Sequence, residues 1–273
     1  MINTIIWDVS PELFSIGPIT VRWYGLLFAL GIVGTYYTML HIFTKEKLPQ
    51  IMLDKFAVWA VLATIIGARL GHVLFYEPSY YLSHPSEILK VWHGGLASHG
   101  ATIGLILVVI WFCTKYKVPY LWLFDRMAVI VPIGAASIRL GNLMNSEMIG
   151  TATSVPWAFV FISEDLIPRH PSQLYEALVY LTLFVAMVLW YKKKKGAVEG
   201  GLFVGVMLLV IFVARFFIEF IKNNQVDFEQ NMTLNMGQWL SIPFIIIGLA
   251  FLIYSLKYKK IPVVTIPKKF IQK

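Results

Sequence analysis

Seven apolar stretches recur along the chain, at about 20–41, 56–76, 95–114, 120–140, 173–191, 202–222 and 238–257. Lysine clusters, prolines and turn residues separate them. A bilayer core about 30 Å thick is crossed by roughly 20 apolar residues in helical form, so each stretch predicts one transmembrane helix. The expected fold class is all-α, a polytopic integral membrane protein of seven transmembrane helices. The expected organisation is one membrane domain over 1–260, with external loops around 77–94 and 141–172, and a basic tail over 261–273. The longer loop contains Pro156, Trp157, Pro168 and Pro171. Loops beyond about 12–15 residues commonly carry function, which makes this one a candidate substrate platform.

Composition agrees with the pattern. Hydrophobic residues make up 58% of the 273 and charged residues only 14%, against about 25% charged in an average soluble domain. The segment Met1–Phe14 carries acids where a signal peptide has its basic region, which speaks against a cleavable leader. A single cysteine, Cys113, excludes an internal disulfide and a multi-cysteine zinc site. The net charge of +8 suggests nucleic acid only if its distribution is ignored. With the N-terminus outside, cytoplasmic segments hold 15 basic residues and external segments 5, Arg69, Arg126 and Arg215 lying in or at the edge of spans. The positive-inside bias therefore predicts an outside N-terminus and a cytoplasmic C-terminus. It also reads Lys192–Lys195 and the tail lysines as topogenic rather than as nucleic-acid patches.

An ionisable group inside a span costs about 2.5–3.5 kcal/mol on insertion scales, and so marks function by default. Arg69 and Arg215 each fall about 13 residues into a span running outward, ~20 Å deep at 1.5 Å per residue. His99, Arg139, Tyr24 and Glu176 lie within about a turn of the outer ends of their spans. Each has a bland alternative: Arg215 paired to Glu219 at i+4, a satisfied core histidine, an interfacial tyrosine, a snorkelling arginine. Their shared depth favours a site in the outer half of the membrane. Cations gathered there suit an anion such as a phospholipid phosphate, and arginine offers it a planar fork of donors. Arg139, Asn142 and Asn145 lie at i, i+3 and i+6, followed by Glu147 and Gly150; their amides suit a glycerol headgroup. The run His93-Gly94-Gly95-Leu96-Ala97-Ser98-His99-Gly100 allows close backbone approach and presents helix N–H groups to an anion. The spacing of His93 and His99 does not favour zinc, and Ser98 lacks a nucleophile elbow around it.

At these residues the chain resembles the prolipoprotein diacylglyceryl transferases of bacterial inner membranes. The signature-like segment is Arg139-Leu-Gly-Asn142-Leu-Met-Asn145-Ser-Glu147-Met-Ile-Gly150. Five further matches follow the same order: Phe14 to Pro18 with Trp23-Tyr24-Gly25; Gly67-Ala-Arg69-Leu-Gly71 through Tyr76; Gly94-Gly95 with Ser98-His99-Gly100; Arg169 to Glu176; and Arg215 with Glu219. The resemblance implies a catalytic membrane domain that moves the diacylglyceryl group of phosphatidylglycerol onto the lipobox cysteine of an exported preprolipoprotein. This is the first step of lipoprotein maturation. Its partners are then membrane lipid and a signal peptide, with no nucleic acid, no metal and no cofactor. It implies catalytic roles for His99, Arg215 and Arg139, and phosphatidylglycerol binding by Arg139, Asn142, Tyr24, Arg69, Gly150 and Glu147. It places the enzyme in the inner membrane with its site toward the outer face. Two departures stand out. Ile138 and Leu143 replace the usual Gly and Phe. Ile211 stands where the family often has a tyrosine, so a mechanism needing that phenol cannot operate here.

The expected chemistry is attack of the substrate thiolate on the glycerol carbon bearing the phosphate. A thiol near pKa 8.5 and an imidazole near 6.5 make His99 a fitting base. Arg139 and Arg215 hold the phosphate and the charge on the leaving group. The competing reading is a lipid or small-anion transporter. The sequence shows no internal repeat, and its polar residues sit off the midplane, unlike that class.

Overall fold

Each apolar stretch forms a helix, and most of those helices run past the apolar pattern into polar flanks. In the computed structural model, which describes residues 4–17, 19–91, 95, 97–223, 232–267 and 270, the long helices are α1 (Trp23–Lys45), α2 (Gln50–Phe75), α4 (Ser98–Tyr116), α5 (Tyr120–Met144), α6 (Ser172–Lys194), α7 (Leu202–Ile218) and α8 (Met236–Tyr258). A short helix α3 (Pro78–Ser83) lies in the loop after α2. Seven of these helices are long and apolar enough to cross a membrane. The seven expected spans are therefore present, with ends shifted by up to six residues. α2 begins at Gln50 rather than near 56, because Asp54 and Lys55 interrupt the apolar pattern without interrupting the helix. α5 reaches Met144, so Asn142 is helical. His93, Gly94, Leu96 and Asp227 lie outside the described residues.

Short strands accompany the helices, which the apolar periodicity did not predict. β1 (Ile5–Trp7) pairs in parallel with β4 (Phe159–Phe161), and β4 pairs antiparallel with β5 (Pro168–Arg169). β2 (Glu12–Ile16) and β3 (Ile19–Arg22) form a hairpin. Strands of two to five residues leave too short an alternation to register beside twenty-residue spans. The loop after α5 is thus a folded cap. Phe159 and Phe161 pack with Leu143 and Trp7, and the Trp7 indole donates to the Leu143 carbonyl at 3.1 Å.

The chain divides into two units, residues 1–39 with 124–261, and residues 40–123 with 262–273. In the first, α7 starts at Gly201 without a side-chain cap of its own. Asp125, fully buried on α5, supplies one instead: its carboxylate accepts from the N–H groups of Gly201, Phe203 and Val204 at 2.8–3.0 Å. Those are orphan donors of a helix N-terminus, and a carboxylate there also meets the positive end of the helix dipole. α8 starts conventionally, with Asn235 and Gln238 in a reciprocal capping box.

In the second unit, α2 and α4 pack backbone to backbone. Gly67 and Gly71 on α2 face Gly100 and Gly104 on α4, and a Cβ on Gly71 would lie 2.8 Å from the Gly100 Cα. Glycines four apart are the small-residue pattern that lets membrane helices touch. Below this seam Phe56 meets Phe112 edge-on at 5.0 Å. Phe270 from the expected basic tail is buried here, 5.1 Å from the Tyr116 ring, with the Lys55 ammonium over its face. The tail is therefore anchored at Phe270.

Candidate active site

In the first unit the site is built around Arg139, one turn before the end of α5. Its Nε lies 2.5 Å from Oε2 of Glu176, near the start of α6. Its Nη1 donates to Oδ1 of Asn142 one turn on, at 3.2 Å. The Asn142 amide then donates to Glu147 at 2.9 Å, and Asn145 donates to the other Glu147 oxygen at 3.0 Å. Asn142 and Glu147 thus spend their polar atoms on one another and on Arg139. Their geometry is that of a frame holding the guanidinium.

The turn after α5 is held from two further directions. Ser172 and Gln173, both fully buried at the start of α6, donate to the carbonyls of Met148 and Glu147. Gly150 threads between two chain segments, its N–H donating to the His170 carbonyl at 2.8 Å while it bridges Lys222. A Cβ on Gly150 would lie 2.6 Å from the carbonyl oxygens of His170 and Ile221. Its requirement for glycine is therefore steric, set by protein backbone on both sides. Arg169 clasps Asp165, Nη2 to Oδ2 at 2.5 Å, and reaches the Gly150 carbonyl at 3.4 Å. The hydrogen bond from Arg169 holds the Asp165 carboxyl below its ordinary value, and burial pushes the His170 imidazole down.

A second arginine centre stands at the C-terminal end of α7. Arg215 lies 3.5 Å from Glu219, at i+4. Glu219 is buried and also takes Lys222 at 3.2 Å and the Asn235 amide at 3.2 Å. Gly237 makes room for it, since a Cβ there would collide with the Glu219 carboxyl. Lys222 faces Glu176 on its other side, at 4.0 Å. One ion-pair network therefore joins the two arginines, in the order Arg139, Glu176, Lys222, Glu219, Arg215. Three cations stand against two carboxylates, leaving one positive charge in excess.

Tyr24 packs its ring over Gly141, where a Cβ would lie 2.7 Å away, within electrostatic reach of Arg139 and Glu147. On α7, Ile211 offers no phenol.

The second unit holds Arg69 and His99. Arg69 is buried. Nε, Nη2 and Nη1 donate to the carbonyls of Ile88, Glu87 and Gly95 at 3.0, 2.5 and 3.2 Å, and its guanidinium lies over the Tyr81 ring. Gly95 has φ +69°, and its Cβ position is taken by His72 and by Arg69 itself. Arg69 thereby clamps the loop before α4. His99, on the first turn of α4, is exposed, with Tyr76 stacked at 5.8 Å and Phe75 edge-on at 5.5 Å. The imidazole is held by rings and left open to a substrate.

A family model for prolipoprotein diacylglyceryl transferase matches residues 11–254. The chain belongs to the prolipoprotein diacylglyceryl transferase family. Among similar proteins are phosphatidylglycerol–prolipoprotein diacylglyceryl transferases of Chloroherpeton thalassium and Bacteroides fragilis. The first is 47% identical over 254 residues, covering 93% of this chain and 95% of the relative. The second is 46% identical over 273 residues, covering 96% and 99%. A third, from Tolumonas auensis, is 44% identical over 256 residues, covering 93% and 99%. The family is one of transferases, so the arginine network belongs to an enzyme, and the transporter reading is not favoured.

The sequence alone does not mark Lys222, Asn235 or Gln238; Lys222 stands out by its 5% exposure and its two carboxylate neighbours. Its i+3 spacing from Glu219 was the available signal.

Proposed function

We propose that this protein transfers the diacylglyceryl group of phosphatidylglycerol to the lipobox cysteine thiol of preprolipoproteins, at the outer face of a bacterial inner membrane. The observation that carries the reading is the network joining Arg139 to Arg215 with one positive charge in excess, a match for one phosphodiester. The charge distribution along the chain supports an outside N-terminus and cytoplasmic C-terminus.

In this mechanism the substrate thiol gives its proton to His99. The thiolate sulfur forms a bond to the glycerol carbon, and that carbon's bond to the phosphate oxygen breaks. Glycerol phosphate leaves with the electron pair, and a thioether remains. Arg139 and Arg215 stabilise the negative charge of the leaving group, where preorganised donors contribute most. Asn142, Glu147 and Gly150 act by fixing Arg139, and Arg69 by fixing the loop before His99; Tyr24 lines the arginine site.

The test is incubation of purified protein with labelled phosphatidylglycerol and a lipobox peptide. A thioether-linked product is expected. Phospholipid movement without a product would overturn the proposal. Arg139→Ala and Arg215→Ala are each expected to lower turnover by ~10²-fold or more, and His99→Ala by about 10²–10⁴-fold. Near-normal turnover in any of them removes the role given to that residue.

A further inference from the structure

Three amides grip Glu147. Asn142 and Asn145 each donate to one of its carboxylate oxygens, at 2.9 and 3.0 Å, and Gln173 donates to its main-chain carbonyl at 3.1 Å. A side-chain amide has a donating nitrogen and an accepting oxygen. Asn142 uses both, since its oxygen takes the Arg139 guanidinium. Asn145 and Gln173 use only the nitrogen. Among the described residues, Oδ1 of Asn145 and Oε1 of Gln173 are buried with no hydrogen-bond partner. Leaving a buried acceptor unsatisfied costs more than an ordinary hydrogen bond contributes, so such atoms are few and call for a cause. Here two of them adjoin the same residue. Asn145 continues the helical hydrogen bonding of α5 through Gly141, which puts it ~4.5 Å along the axis from Asn142, the Arg139 partner. Two orphaned acceptors beside the anion-binding arginine point to hydrogens supplied by a ligand.

We propose that Asn145 and Gln173 select the lipid headgroup, their carbonyl oxygens accepting from the two glycerol hydroxyls of phosphatidylglycerol while Arg139 holds the phosphate. The proposal rests on the transferase reading above and deepens it by naming the residues that read the headgroup. The hydroxyls lie on adjacent carbons, one for each oxygen. Beside a guanidinium, a neutral hydroxyl is a better donor than an ammonium, which the arginine repels. Asn145 is half-buried and Glu147 exposed, so this corner is reached by a turn of surface side chains, a change common on binding. Gln173, withdrawn from solvent altogether, takes the deeper hydroxyl. A site built to hydrogen-bond a substrate hydroxyl discriminates against an analogue lacking it, because its own polar atoms are then left unpaired.

The experiment gives the full-length enzyme, in detergent micelles with a lipobox peptide, either phosphatidylglycerol or phosphatidylpropanol of the same acyl chains. The second lipid keeps the reacting carbon and the phosphodiester and lacks both headgroup hydroxyls. An ordinary hydrogen bond corresponds to roughly a three- to tenfold change. Wild type is therefore expected to favour phosphatidylglycerol about tenfold or more in kcat/KM. Asn145→Ala and Gln173→Met are each expected to lower that ratio by roughly three- to tenfold, whatever happens to absolute turnover. A residue that only supports the fold slows both lipids alike and leaves the ratio where it was, which overturns the proposal. Equal kcat/KM for the two lipids in wild type overturns it as well, being the result for acceptors satisfied by water alone, and this comparison needs no variant to fold. A wild-type enzyme forming no thioether from phosphatidylglycerol fails the transferase reading itself, an outcome separate from equal use of the two lipids.

Discussion

The ammonium of Lys222 stands 3.2 Å from Glu219, and both side chains are almost wholly withdrawn from solvent. With Glu176 at 4.0 Å on its other side, this lysine links the carboxylate serving Arg139 to the one serving Arg215. Without it, two buried carboxylates face two arginines and the excess positive charge is gone.

Lys222→Met is therefore expected to weaken both binding and the fold. Removing one partner of a buried ion pair costs about 3–5 kcal/mol, which a lowered melting temperature in detergent will register. In whatever fraction remains folded, the KM for phosphatidylglycerol is expected to rise at least tenfold. A variant with wild-type stability and lipid KM would contradict the network.

Asp125 predicts the opposite separation. Asp125→Ala leaves three N–H groups at the start of α7 without their acceptor. Loss of a cap and of hydrogen bonds to a charged group is worth roughly 2 kcal/mol or more. The expected outcome is a lower melting temperature with kcat per folded molecule near wild type, measured by turnover normalised to folded protein.

The glycines divide into two groups. Gly100→Ala places a methyl group against the backbone of α2, where Gly71 Cα is 2.8 Å away, and is expected to abolish a stable α2–α4 pair. Gly25→Ala meets nothing within 4 Å and is expected to leave stability unchanged or improve it by up to about 1 kcal/mol. Expression and monodispersity of the two variants, side by side, decide the matter.

The folded cap carries an acid-sensitive clasp. Asp165 is held below the ordinary carboxylate value by Arg169, so its ion pair supports the cap above roughly pH 4. That support is lost as pH falls through the folded value. Limited proteolysis within 150–170 should therefore increase on acidification in the wild type. Asp165→Asn should be cut faster already at neutral pH, with a smaller further change in acid.

The spans were legible because apolar length is a long-range average that single residues barely disturb. The partners of the charged residues were less visible. Glu219 at four residues from Arg215 could be read directly, whereas Glu176 meets Arg139 across 37 positions of chain, and no local periodicity carries that. Arg69 could be read as a buried cation but not by its partners, since the carbonyls of Glu87, Ile88 and Gly95 lie 18, 19 and 26 positions along the chain. The same holds for Gly150, whose glycine answers to the backbones of residues 170 and 221. The α2–α4 contact was written in the sequence as Gly67-x-x-x-Gly71 and Gly100-x-x-x-Gly104, a spacing that gains meaning once both lie in apolar helices.

That glycine contact also bears on rigidity. Helices padded by long side chains can shift against each other by exchanging rotamers, but α2 and α4 have no padding where their main chains meet. Arg69 on one and His99 on the other are therefore carried on a single stiff support.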